Sequence, residues 1–320
     1  MRTRMRIGFA IIGLAFSASV FAQWPAKAIT TVVGFEPGGG TDTTARIVAP
    51  ALGELLGQNV VVENRAGAGG NIAVDYVAKA APDGYTVVLA NVGALTVNPH
   101  MIKLAYDPLK DLAPVTMAVV FPNVIVTHPR IPAKTLADFV KLAKAKPNTI
   151  TYASSGVGGA GHLAGALLEM VADIKLVHVP YKGGGPAMRG LLGGEIDSYM
   201  ATPVTVLPQI KNGKANAIAT TGAKRSASLP DVPTVAESGY PGYEALNWYA
   251  YLAPAKTPRD VIERLNRELT KVLRMPEAVK LLDGQGVEPD PGTPEQLAAY
   301  MKREYETWGK VVKQAGIQAQ

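Results

Sequence analysis

Hydrophobic and polar positions along the chain form two kinds of segment that alternate. Short runs rich in β-branched residues, of which residues 29–33 are the first, have the composition of buried strands. A glycine-containing turn follows each run, and then a segment whose apolar residues recur every three or four positions. Ala45, Val48 and Leu52 show this spacing, which is typical of an amphipathic helix. The alternation predicts an α/β fold with largely parallel strands.

This alternation is interrupted once, by the proline-punctuated residues 98–132. The apolar residues 115–126 within them predict a strand, or a pair of strands, that crosses into a second domain. The pattern then restarts, and the aromatic-rich residues 246–253 predict a return strand. Two lobes of similar plan joined by two crossovers would leave a cleft between them.

The first 22 residues have the three zones of a secretory signal peptide. Three arginines lie among the first six residues, residues 7–20 are uncharged and apolar, and small residues precede a predicted cleavage after Ala22. The apolar stretch is too short, and too often interrupted by glycine and serine, for a membrane-spanning helix. An uncleaved membrane anchor is the alternative. We therefore predict an exported protein. A chain without cysteine is compatible with the bacterial periplasm.

Composition excludes several classes of function. The chain has 320 residues, of which 48% are apolar and 18% charged, as in globular proteins. The absence of cysteine excludes disulfides, thiolate metal sites and cysteine nucleophiles, and the four histidines lack metal-ligand spacing. Lysine and arginine are dispersed, which argues against nucleic-acid binding. Removing residues 1–22 takes away three arginines and lowers the formal charge from +6 to +3.

Four glycine-rich turns, at residues 37–42, 67–70, 154–162 and 182–185, contain the candidate chemistry. Each lies between a predicted strand and a predicted helix, where unpaired N–H groups and the helix dipole favour an anion. Glycine is also the default residue of tight turns, so any one of them could be only a turn. Two long turns, one in each half, favour a shared anion site.

One of these turns also has the spacing of a dinucleotide-binding motif, with glycines at 156, 158 and 161. The strand that follows it ends without the acidic residue that would bind a ribose, so this signal is weak. No turn continues into the Gly-Lys-Ser/Thr of a P-loop. Ser155 lacks the flanking glycines of a nucleophile elbow, and no carboxylates are paired by spacing. We therefore predict neither a cofactor nor catalytic residues.

A set of short motifs occurs in a fixed order along nearly the whole mature chain. It comprises Trp24-Pro25 and residues 35–42, 62–70, 82–85, 98–99, 106–108, 155–162, 179–183, 232–234, 237–239, 248 and 253–254. The ordered set resembles that of the Bug-type extracytoplasmic solute receptors, the binding-protein component of tripartite tricarboxylate transporters.

The resemblance implies a two-lobed periplasmic binding protein of the type II, flytrap kind, with a hinge of two crossover strands. Residues 23–123 and 226–320 would form the first lobe and residues 124–225 the second. The lobes would hold one carboxylate of the ligand through backbone N–H groups, hydroxyls and bridging waters, without arginine. The implied ligand-binding residues are Phe35, Gly38, Gly39, Thr41, Asp42, Asn91, Ala94, Ser154, Ser155, Gly158, Gly159, Gly161, His162, Tyr181 and Gly183.

These inferences predict a monomeric periplasmic protein that captures a dicarboxylate or tricarboxylate, an aromatic acid or an acidic amino acid for membrane transporter subunits. A ligand sensor that feeds a signalling system is one alternative, and a secreted hydrolase or oxidoreductase using the same cleft is another. Glu36 stands where the family usually has an apolar or small residue. Facing the cleft, its carboxylate would favour a ligand with an amine, whereas in an exposed turn it would not affect binding.

Overall fold

The computed structural model describes residues 24–315, so the predicted signal peptide and its cleavage site lie outside the described residues. No helix in the described range is both long enough and apolar enough to cross a membrane. The strands are β1 (Ile29–Val33), β2 (Val60–Asn64), β3 (Thr86–Asn91), β4 (Leu112–Pro122), β5 (Val124–Thr127), β6 (Thr151–Ser154), β7 (Val177–Pro180), β8 (Ser198–Ala201), β9 (Asn216–Thr220), β10 (Leu246–Pro254) and β11 (Glu288–Pro289). The α-helices are α1 (Gly40–Leu56), α2 (Asn71–Ala78), α3 (Leu136–Ala145), α4 (Ala160–Ala172), α5 (Gly184–Leu192), α6 (Pro203–Lys211), α7 (Arg259–Arg274), α8 (Pro276–Gly284) and α9 (Pro294–Ala315).

The described strands form two sheets, one in each lobe. The first has the order β11-β4-β10-β3-β1-β2, in which β1 pairs in parallel with both β2 and β3. The strand β10 pairs antiparallel with β3 and with β4. The second sheet has the order β7-β6-β8-β5-β9, with β6 parallel to both of its neighbours. Parallel strands place the chain segments that follow them at one edge, so the glycine-rich turns of each sheet collect there.

The first sheet is covered on both faces, as the strand β3 shows. Val87 and Leu89 are buried in one apolar cluster, and Val88 and Ala90 belong to another. A strand buried on both faces has a continuous apolar run rather than an alternating one. The C-terminal helices complete this lobe, because α7 packs against α1 and β4, and α9 packs against β4.

The chain crosses between the sheets twice. Asn123 alone separates β4 from β5, so the predicted strand or pair of strands at residues 115–126 is a pair. The chain returns between Thr220, the last residue of β9, and Leu246, the first residue of β10. These crossovers join two α/β lobes, which confirms the predicted fold class.

The segment that connects β9 to β10 packs on the second sheet. Val235, Tyr243 and Ala245 are buried in the same apolar cluster as Phe139 of α3. The Tyr243 hydroxyl donates a hydrogen bond to the carbonyl oxygen of Ala164 in α4, at 2.8 Å. We therefore propose that the second lobe extends from residue 124 to about residue 245, whereas the limit expected from the sequence is residue 225.

Two elements lie where the sequence pattern predicts none. The helix α6 begins with Pro203 and contains Pro208, and proline within a segment argues against a helix there. The strand β11 has two residues and pairs with β4 at the sheet edge. Both depend on packing against the rest of the lobe, which a local sequence pattern does not reveal.

Candidate ligand-binding site

A narrow cavity lies between the lobes and is lined by loops and strand ends of both. The centres of water-sized molecules can occupy about 30 Å³ of it. A buried water needs roughly 10–15 Å³ on this measure, so the cavity has room for about two waters or one carboxylate group. Its walls are Phe35, Gly39, Gly40, Thr41, Asn91, Asn123, Ser155, Gly159, Ala160, Gly161, Gly184, Met200, Thr202, Asn247 and Tyr249.

Four helices have their N-terminal ends at this cavity. The residues that precede α1, α4 and α5 are Gly39, Gly159 and Gly183, and Thr202 precedes α6. None of these residues caps its helix with a side-chain hydrogen bond to a backbone N–H, since three are glycines and the Thr202 hydroxyl lies 3.3 Å from the Thr205 hydroxyl instead. First-turn N–H groups of α1, α4 and α5 therefore remain available, whereas α6 begins with Pro203, which has no N–H, and its Thr205 N–H donates to the Thr202 carbonyl oxygen. Each of the four helix dipoles adds partial positive charge. No charged side chain of the described residues lines the cavity, so backbone groups alone supply this positive potential.

Buried polar side chains in the cavity wall also lack partners. The Oγ1 atom of Thr41, the Oδ1 atom of Asn91, the Nδ2 atom of Asn123 and the Oδ1 atom of Asn247 make no hydrogen bond to any described residue. Each of these side chains belongs to a residue that is at most 5% exposed. Buried polar atoms in folded proteins are nearly always paired with protein or solvent. These atoms therefore mark the cavity as a place where polar ligand atoms can bind.

The loop after β1 is held by a buried carboxylate, that of Asp42. It accepts hydrogen bonds from the Gly38 N–H, from Nε of Arg46 and from Nδ2 of Asn64, each at 2.9 Å. The Asn64 amide also donates to the carbonyl oxygen of Phe35. Burial disfavours the charged carboxylate, yet these hydrogen bonds, that from Arg46 first, hold the Asp42 pKa below its usual value. Asp42 thus positions the loop and does not line the cavity.

The loop after β6 is held by two stacked histidines. The Gly158 N–H donates to Nδ1 of His162 at 3.1 Å, and Nε2 of His178 lies 2.7 Å from the Ser154 hydroxyl oxygen. The two imidazole centroids are 4.0 Å apart, and the rings are nearly parallel, at 6°. Burial lowers the pKa of His162 to about 4 and that of His178 to about 3, the latter also through His162. Both rings are therefore neutral at neutral pH.

The lobes touch along the cavity rims through backbone atoms. The Glu36 N–H of the first lobe donates to the Lys182 carbonyl oxygen of the second, at 3.2 Å. On the opposite rim, a Cβ atom added to Gly93 would lie 2.6 Å from the Gly158 carbonyl oxygen. At the first rim, a Cβ atom added to Gly183 would lie 3.3 Å from the Glu36 nitrogen, so glycine at both rims permits this close approach.

Comparison with known proteins identifies the family. Residues 44–317 match the family described as tripartite tricarboxylate transporter family receptor, TctC. The chain belongs to this family. The resemblance to Bug-type receptors that the ordered motifs showed is thereby confirmed.

Three solved structures are similar to this TctC receptor over most of their length. The periplasmic binding protein BugD is 35% identical, with a TM-score of 0.89, over 93% of this chain and 100% of its own. The R. palustris protein Rpa4515, solved with adipate, is 35% identical, with a TM-score of 0.89 and coverages of 92% and 99%. MatC from Rhodopseudomonas palustris, solved with bound malate, is 31% identical, with a TM-score of 0.86 and coverages of 90% and 100%. The chain is therefore a solute-binding receptor, and its family consists of binding proteins, not enzymes.

The residues predicted to bind ligand in this receptor fall into two groups. Seven of them line the cavity, and eight do not. Of those eight, Ala94 is buried, and its carbonyl oxygen accepts a hydrogen bond from Tyr106. The Tyr181 hydroxyl donates to Glu195, outside the cavity. The seven are Phe35, Gly39, Thr41, Asn91, Ser155, Gly159 and Gly161, and the others are Gly38, Asp42, Ala94, Ser154, Gly158, His162, Tyr181 and Gly183.

Glu36 does not line the cavity of the receptor. It is half-buried at the rim, where its backbone N–H joins the lobes. Its carboxylate is therefore not placed to pair with an amine of a ligand inside the cavity, and the structure favours the alternative of a turn glutamate.

Sequence reasoning missed eight residues of the cavity wall. Gly40, Ala160 and Gly184 lie within the glycine-rich turns at residues 37–42, 154–162 and 182–185, although they are not among the residues predicted to bind ligand. Asn123 had a detectable signal, since a polar residue interrupts an apolar run there. The remaining missed residues, Met200, Thr202, Asn247 and Tyr249, are brought to the cavity by β8, α6 and β10 without a local motif.

The stability of the receptor should fall as the pH falls from 6.5 to 4. Between these pH values His162 and His178 are protonated in the unfolded chain but remain neutral in the folded protein, because burial lowers their pKa. The free energy of unfolding therefore decreases as the solution is acidified. For His162 the expected loss is about 1.4 kcal/mol per pH unit. Denaturant unfolding at several pH values measures this change in the free energy of unfolding. His162→Asn, which keeps an acceptor for Gly158, should reduce the slope, and equal slopes in the two proteins would contradict the assignment.

Proposed function

We propose that this receptor binds a small organic carboxylate between its lobes in the periplasm and delivers it to membrane transporter subunits. The observation that supports the ligand class is the convergence of four uncapped helix N-termini on one cavity. An anion at such a site accepts hydrogen bonds from N–H groups that have no other partner. The relatives solved with adipate and with malate bind carboxylates, which agrees with this proposal.

A carboxylate suits the donors of both loops. It presents two oxygens and accepts up to four hydrogen bonds in its plane. The start of α1 offers backbone N–H groups and the buried hydroxyl of Thr41. The start of α4 offers the backbone N–H groups of Ala160 and Gly161. Charge-assisted hydrogen bonds of this kind are shorter and stronger than neutral ones, so the site needs no arginine. We propose the residues of the cavity wall as the ligand-binding residues.

Ligand binding and lobe closure are coupled in this proposal. A carboxylate held by α1 of the first lobe and α4 of the second is bound fully only when the lobes are together. Its higher affinity for the closed form shifts the population toward that form. Transporter subunits that contact both lobes would then distinguish loaded from empty receptor. The cavity has room for about one carboxylate group, so a longer ligand would hold the lobes slightly further apart.

A thermal-shift screen of the protein from Gln23 onward tests the ligand class. The panel contains monocarboxylates, dicarboxylates, tricarboxylates and acidic amino acids, each beside its uncharged amide. A ligand at 100 times its Kd adds about 2.7 kcal/mol to the free energy of unfolding, so the melting midpoint rises. We expect carboxylates and not their amides to raise it. The protein is first freed of bound ligand by unfolding and refolding. If no carboxylate then raises its melting midpoint, the proposal is refuted.

Gly159→Val tests the site within this screen. Gly159 lines the cavity with an ordinary backbone conformation, and the nearest atom to an added Cβ is the Gly156 carbonyl oxygen, at 3.3 Å. The new side chain should fill the cavity and abolish the ligand response with little change in the unliganded midpoint. Gly161 is less suitable, because a Cβ there would collide with the Met200 carbonyl oxygen. Gly284→Val, in open space at the end of α8, is the matched control and should respond like wild type.

Gly93→Ala tests the coupling to closure. The added methyl group would oppose the Gly158 carbonyl oxygen only when the lobes are together. Overpacking of this kind costs about 1–3 kcal/mol, so the affinity for the ligand should fall roughly 5- to 150-fold. Calorimetric titration measures the affinity, with Gly284→Ala as the control. Unchanged affinity in Gly93→Ala would contradict closure at this rim.

A further inference from the structure

Two asparagines lie at the hinge, one beside each crossover of the chain. Asn123 is the single residue between β4 and β5, and Asn247 is the second residue of β10, where the chain has returned to the first sheet. Asn123 is 1% exposed and Asn247 is 5% exposed, and both line the cavity. The Asn247 Nδ2 atom donates to the Asn123 Oδ1 atom at 3.4 Å. The pair therefore belongs to the floor of the site and not to the loops that hold the helix N-termini.

The position of this pair is set by the hinge backbone. The Asn123 N–H donates to the Thr221 hydroxyl oxygen at 2.8 Å, and that hydroxyl donates to the Ala245 carbonyl oxygen at 2.6 Å. Thr221 follows the last strand of the second lobe, and Ala245 precedes β10. This chain of hydrogen bonds joins the two crossovers beneath the cavity, so the amides keep their places relative to each other.

Each amide of the pair keeps one polar atom without a partner among the described residues. These atoms are Nδ2 of Asn123, a donor, and Oδ1 of Asn247, an acceptor. Exchanging the nitrogen and oxygen of both side chains would again leave one donor and one acceptor, so the result does not depend on how the amides were oriented. The cavity floor thus offers a neutral donor and a neutral acceptor side by side.

Few ligand groups satisfy both atoms. A carboxylate accepts hydrogen bonds but donates none, so it would leave the Asn247 acceptor unpaired, and it would find no cationic side chain in the cavity wall. An ammonium donates but accepts nothing, and no acidic side chain lines the wall to neutralise it. A hydroxyl group donates one hydrogen bond and accepts others, so it pairs with both asparagines at once.

We propose that the Asn123–Asn247 pair is a hydroxyl subsite and that the receptor selects hydroxy-substituted carboxylates over the corresponding acids without the hydroxyl. The inference rests on the proposed function, because the carboxylate itself is held by the helix N-termini. A binding site built to hydrogen-bond a hydroxyl discriminates strongly against an analogue that lacks it, since its buried polar groups are then left unpaired. The pair therefore determines specificity, and the loops determine that the ligand is an acid.

Calorimetric titration with acids that differ by one hydroxyl tests this subsite. The matched pairs are lactate and propionate, malate and succinate, and mandelate and phenylacetate. We expect the hydroxylated member of at least one pair to bind at least tenfold more tightly. Equal affinity within every pair that binds, or binding of other carboxylates while all three pairs fail, would overturn the subsite and leave the proposed function intact. Failure of every carboxylate would refute the proposed function itself.

Asn123→Leu and Asn247→Leu identify the residues responsible. Each replacement keeps the approximate side-chain size and removes the amide, so the preference for the hydroxylated acid should fall to less than threefold. The loss of affinity should be larger for the hydroxylated acid than for the acid without the hydroxyl. A merely structural role would weaken both acids equally and keep their ratio, which would overturn the proposal. Two separate positions keep the test valid if one variant does not fold, and Asn212→Leu on the exposed end of α6 is the control.

Discussion

The unpaired N–H groups at the starts of α1, α4 and α5 are the constraint on which the site depends. Parallel strands deliver their following helices to one edge of each sheet, and the two crossovers bring those edges together. The helix dipoles then point into one cavity that no charged side chain of the described residues enters. The affinity of the site for an anion therefore comes from the direction of its backbone N–H groups. The glycines contribute because they have no side chain to cover these groups.

Ionisable side chains support the site from behind. Asp42 is charged and fully hydrogen-bonded beneath the first loop, while His162 and His178 are neutral and stacked beneath the second. Both arrangements fix backbone atoms, of Gly38 in one lobe and of Gly158 in the other. A site built from backbone donors needs such supports, because an N–H group can be aimed only by holding its peptide.

The closure and the selectivity that we propose depend on different parts of the interface between the lobes. At the rims, glycine lets backbone atoms of opposite lobes approach, as Gly93 and Gly158 do. At the hinge, Asn123 and Asn247 line the cavity beside the two crossovers of the chain. A receptor organised in this way can keep its acid-binding loops unchanged while the floor residues alter which acid it prefers.

The sequence by itself determined the α/β alternation, the two crossovers and the glycine turns at residues 37–42 and 154–162, because each depends on neighbours within about ten positions. It did not reveal α6, because Pro203 and Pro208 argue against a helix there, or that Asp42 supports the loop instead of lining the cavity. Asn123 and Asn247 are 124 residues apart, and only the paired crossover strands bring their amides together. Local sequence patterns specify helices and strands. A cavity between lobes is formed by contacts between segments that are distant in the sequence, and only the tertiary structure determines those contacts.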